Sequence, residues 1–569
     1  MKMTKLFRLD VILGILMLIA ALGALMLAWN NPSDQKLQNS PDAKAYYKNL
    51  VDENDIIGTN IVTTFTLQKN IITATKFSIS ADDCLKQVKV NDLVYDFQSK
   101  IGPFDSKAGY CNPNAKIPLE LKDYLKNGNN KIEIVTSNSN NPGGITWRTS
   151  ILNPTILGLL VVIGFVGSYL AYRIGGLIGI DSINSTFLLA FLILGIGVRI
   201  GLLNYKSGDY GSFLAPWYDF VVNNGYWAAQ AQRFADYTPP YLYLLTIVTL
   251  LPINKIVGIK LISLMFEILL GFIVFLVVKQ KNGKSRNLAI VAAAASLMLP
   301  TVILNGAMWG QCDVIYSSFM VLSLYFLTKD KGFWAFWAFG LGFAFKFQAI
   351  FLAPLLLIWL LFHPKKWYYI FVPPINYFLA CVPAALLGRP WLQLIRIYLD
   401  QSNSYPSLSS GMANLWKFIP EAHNEIFKLP GILLGGMAFL AIPVLIYNLK
   451  PKFTPNLWVK LALICTLLVP FVLPKMHERY FFPAEVFSLI YAFYNPKLFW
   501  VALGVNLIGF FEYLPFLLGN SMEGYWFYIV LAMTGIIVFL IYELIISCLN
   551  LKQLSRFEAA KNMARLPGG

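Results

Sequence analysis

Four short stretches of this chain set ionisable and aromatic side chains against apolar runs. The first opens at Gly208-Asp209-Tyr210 and continues through Trp217, Asp219, Asp236 and Tyr237 to Pro240. The second, Asn305-Gly306-Ala307-Met308-Trp309-Gly310-Gln311-Cys312-Asp313, falls where one apolar run ends and the next begins. The third, Lys346-Phe347-Gln348, parts the runs 333–345 and 349–361. The fourth, Pro474-Lys475-Met476-His477-Glu478-Arg479-Tyr480, parts 457–473 from 481–494. Charges beside hydrocarbon are costly, so they tend to be paired or functional. A carboxylate can take the proton of an attacking hydroxyl. Lys, Arg and His can balance the charge that grows on a departing phosphate, and aromatic rings can stack on sugar faces. That set suits inverting glycosyl transfer from a lipid-linked phosphosugar, with the phosphate at headgroup level and the sugar just beyond it. No metal or other cofactor is required by this chemistry. The three histidines, His363, His423 and His477, are scattered, and no cysteines have zinc-ligand spacing.

Each stretch also has a plainer reading. The acids after 208 suit a solvated loop, although the density of Trp, Tyr and Gly favours a folded site. Trp309 suits an interfacial belt, Lys346 can snorkel, and Glu478 with Arg479 can form a surface pair. Gln311 and Asp313 are harder to dismiss, because little chain lies between the flanking runs to carry them into water.

The elements that must hold these residues are membrane helices. Apolar residues make up 57% of the chain and charged residues 13%, against about 25% charged in soluble domains. The net charge of +16 sits in short clusters between apolar runs, such as 279–286, 329–331, 365–366 and 450–452. That pattern is a topology signal and argues against a nucleic-acid partner. Applying the positive-inside rule predicts a mainly α polytopic protein with about fourteen transmembrane helices and both termini cytoplasmic. The four stretches then share the outer face. The run 241–251 is too short to cross and is read as an interfacial helix. The predicted organisation is a membrane anchor over 1–30, a polar domain over 31–150, a second anchor helix with a cytoplasmic turn over 151–180, a catalytic membrane core over 181–550 and a basic cytoplasmic tail over 551–569.

The polar domain reads differently. Short alternating runs at 61–67, 77–79, 88–90 and 131–136 are punctuated by Asn91-Asp92, Asn127-Gly128 and Asn141-Pro142-Gly143-Gly144. That pattern predicts an extracytoplasmic β-sandwich, jelly-roll-like, serving as a rigid cap or as a carbohydrate-binding module. Its Cys84 and Cys111 would face an oxidising compartment and are expected to form a disulfide. Cys312, Cys381, Cys465 and Cys548 lie in or beside apolar runs and are read as core residues.

The residues at 208–210, 236–240, 309–313, 346–348 and 476–480 resemble, in that order, the GT-C superfamily of polyprenyl-phosphate-sugar-dependent glycosyltransferases. The resemblance runs from about 180 to 550 and is nearest to bacterial relatives of the second GPI-anchor mannosyltransferase. It implies a GT-C fold in a bacterial cytoplasmic membrane, with an extracytoplasmic active site. It makes Asp209 the general base and His477 and Arg479 the donor-phosphate tract, joined by Lys346 and Lys475. Asp219, Asp236, Tyr237, Trp217, Trp309, Gln311, Asp313 and Gln348 would line the sugar and acceptor vestibule. The implied partners are a polyprenyl-phosphate-linked sugar, mannose by the nearest resemblance, and an acceptor that is a glycan, a lipid-linked molecule or a protein. Tyr210 follows Asp209 where an acidic pair would support a metal, so a metal-dependent reading loses support.

Two other functions use similar residues. A lipid-linked sugar transporter or flippase needs polar groups spread through the bilayer midplane, and no internal repeat is evident. A polysaccharide polymerase would take a diphosphate-linked oligosaccharide.

Overall fold

The computed structural model describes residues 60–69, 76–81, 84–95, 117–121, 123–126, 128–137, 145–149, 194–281, 286–403, 407–518 and 523–563. The expected anchors over 1–30 and 151–180 and the Cys111 half of the expected disulfide lie outside these residues. The chain divides into two compact units, 1–157 and 158–569.

In the first unit, β1 (Asn60–Lys69), β6 (Gly128–Ser137), β3 (Cys84–Val90) and β4 (Leu93–Tyr95) form one antiparallel sheet in that order. A second sheet has the order β5 (Ile117–Glu120), β2 (Lys76–Ala81), β7 (Ile145–Thr149). All four predicted strand runs fall inside these elements. Alternation decides the faces: Ile132 and Ile134 of β6 are buried with Leu85, Val88 and Val90 of β3, while Lys131 is exposed and Glu133, between the isoleucines, is half-buried. Asn91 and Asp92 both have positive φ, as a two-residue hairpin turn requires. The Tyr95 hydroxyl accepts a hydrogen bond from Glu120 N at 2.9 Å and ties the two sheets together. A jelly roll has eight strands in two Greek keys; the described residues supply seven, divided four and three.

The second unit is helical. Its elements are α1 (Ala215–Asn223), α2 (Pro239–Thr249), α3 (Lys255–Lys279), α4 (Arg286–Leu297), α5 (Pro300–Ile303), α6 (Asp313–Leu327), α7 (Gly332–Phe345) and α8 (Ala353–Phe362). Then follow α9 (Val372–Leu386), α10 (Trp391–Ile395), α11 (Ile397–Asn403), α12 (Asn424–Leu449), α13 (Pro455–Val472), α14 (Phe482–Tyr494), α15 (Phe499–Leu518) and α16 (Trp526–Met563). This is a mostly helical, polytopic membrane protein. Among the described residues six helices are long and apolar enough to cross a membrane, or seven if the pair 287–297 and 300–309, bent by 51°, is one span. The expectation of about fourteen counted apolar runs as full crossings. Several of them fold as helices of 10–17 residues, namely 313–327, 332–345, 347–362 and 482–494. At about 1.5 Å per residue all four fall short of a hydrocarbon core about 30 Å thick. All four adjoin one of the polar stretches. The run at 241–251 does fold as a short helix, α2.

Three local devices aim the polar stretches. The stretch 194–202 is helical, and its last carbonyls are capped by buried Lys260, whose Nζ donates to Leu202, Leu203 and Tyr205 O at 3.0, 2.9 and 2.7 Å. That cap fixes the start of the loop to Asp209. After α5 the chain widens into a π-turn over Leu304–Trp309 and reverses at Gly310, φ +83°, so that Trp309 and Gln311 both face that loop. Finally, β8 (Ser409–Ser410) pairs in parallel with β9 (Met476–His477), and Glu478 N donates to Ser410 O at 3.0 Å. The loop before α14 is thereby held.

Gly310→Ala places a Cβ in left-handed backbone 3.4 Å from Leu214 Cδ1. The expected cost is about 1–2 kcal/mol, read as a lower thermal unfolding midpoint of the detergent-purified protein. Gly310→Asn should lose less, since Asn tolerates this conformation better.

Candidate active site

Asp209 precedes the turn Tyr210–Leu214 and is half-buried. Its Oδ2 accepts from Trp309 Nε1 at 2.9 Å and from Gln311 Nε2. Gln311 is itself oriented, since its Oε1 accepts from the Tyr237 hydroxyl at 2.8 Å. Ser207 joins the two segments: its Oγ donates to Trp309 O at 2.7 Å and accepts from Tyr210 N at 3.0 Å. The carboxylate plane is therefore set by donors from a different part of the chain.

Beside it lies a buried charge cluster. Asp313 opens α6, where a negative charge is favoured by the helix dipole, and its side chain is fully buried. Lys346 Nζ reaches Asp313 Oδ1 at 2.5 Å. Arg479 Nε lies 3.6 Å from Oδ2, and Asn305 Nδ2 donates to that same oxygen at 2.8 Å. Arg479 Nη1 also donates to Glu478 Oε1 at 2.9 Å. Lys346 can point inward because α7 stops there: its backbone is extended, at φ −155° and ψ 134°. Its ammonium faces the rings of Tyr237 and Tyr316 at 5.5 and 5.8 Å.

Trp309 joins the two halves. Its N–H binds Asp209, and the Arg479 guanidinium lies over its ring at 5.2 Å. Phe516 stacks on the same indole at 4.5 Å, and Tyr513 meets it edge-on at 5.2 Å. The acid and the cation are thus about one aromatic ring apart.

Not every predicted residue joins this cluster. Tyr237, Trp309, Gln311, Asp313, Lys346 and Arg479 do, with Asp209 at its edge. Trp217 is buried against Tyr237, ring centres 5.1 Å apart. Gln348 lies beside Tyr480, and its buried Oε1 has no hydrogen-bond partner among the described residues. Asp219 is instead held by Lys255 at 2.5 Å with its side chain half exposed. Asp236 is exposed, and its carbonyl accepts from Gln401. Lys475, at φ +63°, has Lys428 and Glu425 of α12 as charged neighbours. The four cysteines read as core residues are buried and free.

His477, expected with Arg479 in the donor-phosphate tract, differs from its neighbours in charge. Burial, reinforced by nearby Arg479 and Lys346, pushes its imidazole down to about 3. Near neutral pH it is a hydrogen-bonding group without charge. Burial also pushes the Glu478 carboxyl up, against the opposing pull of Arg479.

Other polar residues were not singled out in the sequence. Ser207 and Tyr513 carry no pattern that distinguishes them, whereas Asn305 belongs to the second polar stretch. Glu267, Glu485 and Glu512 could have been noticed as lone acids in apolar runs. They are buried within α3, α14 and α15 and are held by Arg199 at 2.7 Å, by Thr301 and by Ala413 N at 2.5 Å respectively.

The fold and this cluster together define a multi-pass membrane protein with a carboxylate and buried cations gathered where several helices end. Residues 236–393 match the family model described as dolichyl-phosphate-mannose-protein mannosyltransferase. At the level of that family, the match supports a membrane glycosyltransferase using a polyprenyl-phosphate sugar donor. No curated protein matches the chain. The matched segment contains Tyr237, Trp309, Gln311, Asp313 and Lys346. Asp209 and Arg479 lie outside it and reach it through the contacts above.

The pH dependence of stability follows from His477. An unfolded histidine takes its proton near pH 6.5, and the folded one only near 3. Between these values the unfolded chain binds more protons, so stability falls as pH falls; this contribution is complete above about 6.5. The thermal midpoint should therefore drop on acidification from about pH 7 to 4, and His477→Gln should flatten the drop. An identical slope in wild type and variant would remove His477 as the cause.

Proposed function

We propose that this chain is an inverting glycosyltransferase that moves one sugar from a polyprenyl-phosphate carrier to an acceptor hydroxyl at the extracytoplasmic membrane surface. The observation that carries this reading is the placement of Asp209 and Arg479 on one indole. Two donors hold Asp209 Oδ2, so Oδ1 is the oxygen disposed to take a proton. In the proposed step the acceptor oxygen attacks the anomeric carbon and its proton passes to Asp209. The bond from that carbon to the phosphate oxygen breaks, and the electron pair leaves with the phosphate. Arg479 and Lys346 balance the growing negative charge, exchanging part of their contact with Asp313 for the phosphate. His477 contributes a hydrogen bond. Tyr237, Trp309 and Trp217 supply ring faces for the sugar. Mannose follows from the family description; glucose, galactose or an amino sugar meets the same side chains. We assign Asp219 and Asp236 to the acceptor approach, outside the chemical step, and Lys475 to the rim. The two-sheet unit is assigned either a structural role or the binding of the acceptor glycan.

A transporter or flippase is the second reading, and the acids Glu267, Glu485 and Glu512 within helices are what favours it, since polar groups are not confined to the cluster. Ion pairs such as Arg199–Glu267 and Lys460–Glu543 nevertheless cross-link helices that transport would have to move. The two readings separate in detergent, without a gradient. A transferase releases free polyprenyl phosphate from a labelled polyprenyl-phosphate monosaccharide when acceptor is present, and a transporter releases none. A panel of such donors identifies the sugar by which one is consumed.

Asp209→Asn should lower turnover by about 10²–10⁴-fold, the usual contribution of a general base, with donor binding largely retained. Arg479→Ala should weaken donor binding and turnover together. Wild-type turnover in Asp209→Asn would move the base elsewhere in the loop.

A further inference from the structure

A second cationic site lies apart from the Asp313 cluster. Helix α9 ends with Arg389 N donating to Ala384 O and Gly388 N to Ala385 O, both at 3.0 Å, with Gly388 at φ +111°. This is the Schellman arrangement, in which the residue after the glycine is usually apolar and packs back on the helix. Here that residue is Arg389. It is 1% exposed, and among the described residues none of its three guanidinium nitrogens has a hydrogen-bond partner. A guanidinium stays protonated, and a buried charge without a partner is strongly unfavourable. Attraction to the helix C-terminus offsets part of this, but no carbonyl receives its N–H groups.

The surroundings do not supply the missing acceptor. Arg233, Cys381, Tyr243 and Tyr377 are its electrostatic neighbours. The carboxylate that pairs with Arg233, at 2.5 Å, is Asp400. The Tyr377 hydroxyl donates to Leu394 O at 2.7 Å and that of Tyr243 to Ala380 O at 3.1 Å. The outer flank is apolar and exposed: Leu386 is 83%, Leu392 66% and Leu399 63% accessible. Two guanidiniums with one carboxylate, beneath a greasy collar, match an anionic head attached to a hydrocarbon tail.

We propose that Arg389, with Arg233, binds the phosphate of a lipid-borne molecule at a site separate from Lys346 and Arg479. Arginine's planar fork can meet two phosphate oxygens at once. Helices α10 and α11 pack on the end of α9 through Leu394 and Ile397. They are short, so a head group enters by displacing little structure. The site also touches the candidate active site. Gln401 of α11 donates to Asp236 O, and the Tyr398 hydroxyl donates to Phe343 O near the end of α7 that carries Lys346. A phosphate-headed lipid seated here is thereby placed beside the Asp236–Tyr237 loop.

The test measures binding, so its outcome is independent of the transfer reading. Full-length protein in detergent is titrated with a polyprenyl phosphate, the matched polyprenol or inorganic phosphate. Bound molecules are counted by native mass spectrometry and thermal midpoints are recorded. Wild type should hold two polyprenyl phosphates above the polyprenol background, and Arg389→Leu one. Arg389→Lys, which keeps the charge, should bind the second about ten- to a hundredfold more weakly. An unchanged number of bound polyprenyl phosphates in Arg389→Leu, or unchanged affinity in Arg389→Lys, overturns the proposal; one in wild type and none in Arg389→Leu overturns the donor site and upholds this one. Inorganic phosphate binding as tightly as the lipid would overturn the lipid source and leave a soluble phosphate as the ligand.

Discussion

The buried carboxylate of Asp313 is the constraint around which the membrane unit is arranged. It is held at once by Lys346 from the break after α7, by Arg479 from the loop before α14 and by Asn305 from the turn after α5. Without the two cations it would be a buried charge with little compensation, and without it they would be two like charges in one apolar space. The cluster therefore makes three distant segments, more than 160 residues apart at the extremes, depend on one another. The short helices adjoin these segments. Each starts or stops at a polar stretch and falls short of membrane length.

Trp309 converts that structural knot into a site. One edge of the indole donates to a carboxylate, and one face carries a guanidinium. The ring is clamped by Phe516 and Tyr513, which prevents the acid and the cation from collapsing into a direct pair. Keeping opposite charges near but apart is what a reaction that separates a proton from a departing phosphate demands. Gly310, Ser207 and Lys260 act through backbone: they set where the loop to Asp209 begins, where it is tied and how Trp309 and Gln311 are turned.

Electrostatics divides the ionisable groups by burial. His477 is excluded from becoming a third positive charge by its burial, reinforced by Arg479 and Lys346 nearby. Asp219, with its side chain half in solvent, is satisfied locally by Lys255. The same logic isolates Arg389, withdrawn from solvent and without a hydrogen-bond partner among the described residues. Among these groups the charges held without full local compensation are the ones whose surroundings suit an added anion.

Much was legible in the residues themselves. Apolar runs with basic clusters between them specify a membrane protein because hydrocarbon tolerates little else. Strict alternation and Asn-Asp turns specify paired strands, because a pleated sheet has a period of two. Charged and aromatic residues in polar breaks marked Asp209, Gln311, Asp313, Lys346 and Arg479, since such residues are expensive there without a purpose. The folded chain alone decided which of them meet. Asp219 and Asp236 have the same composition and setting in sequence as Asp209, yet only Asp209 receives donors from Trp309 and Gln311. Arg389 is an ordinary residue after a glycine until its burial is known. Partner choice arises from distances between segments remote in the chain, and local residue types carry no record of those distances.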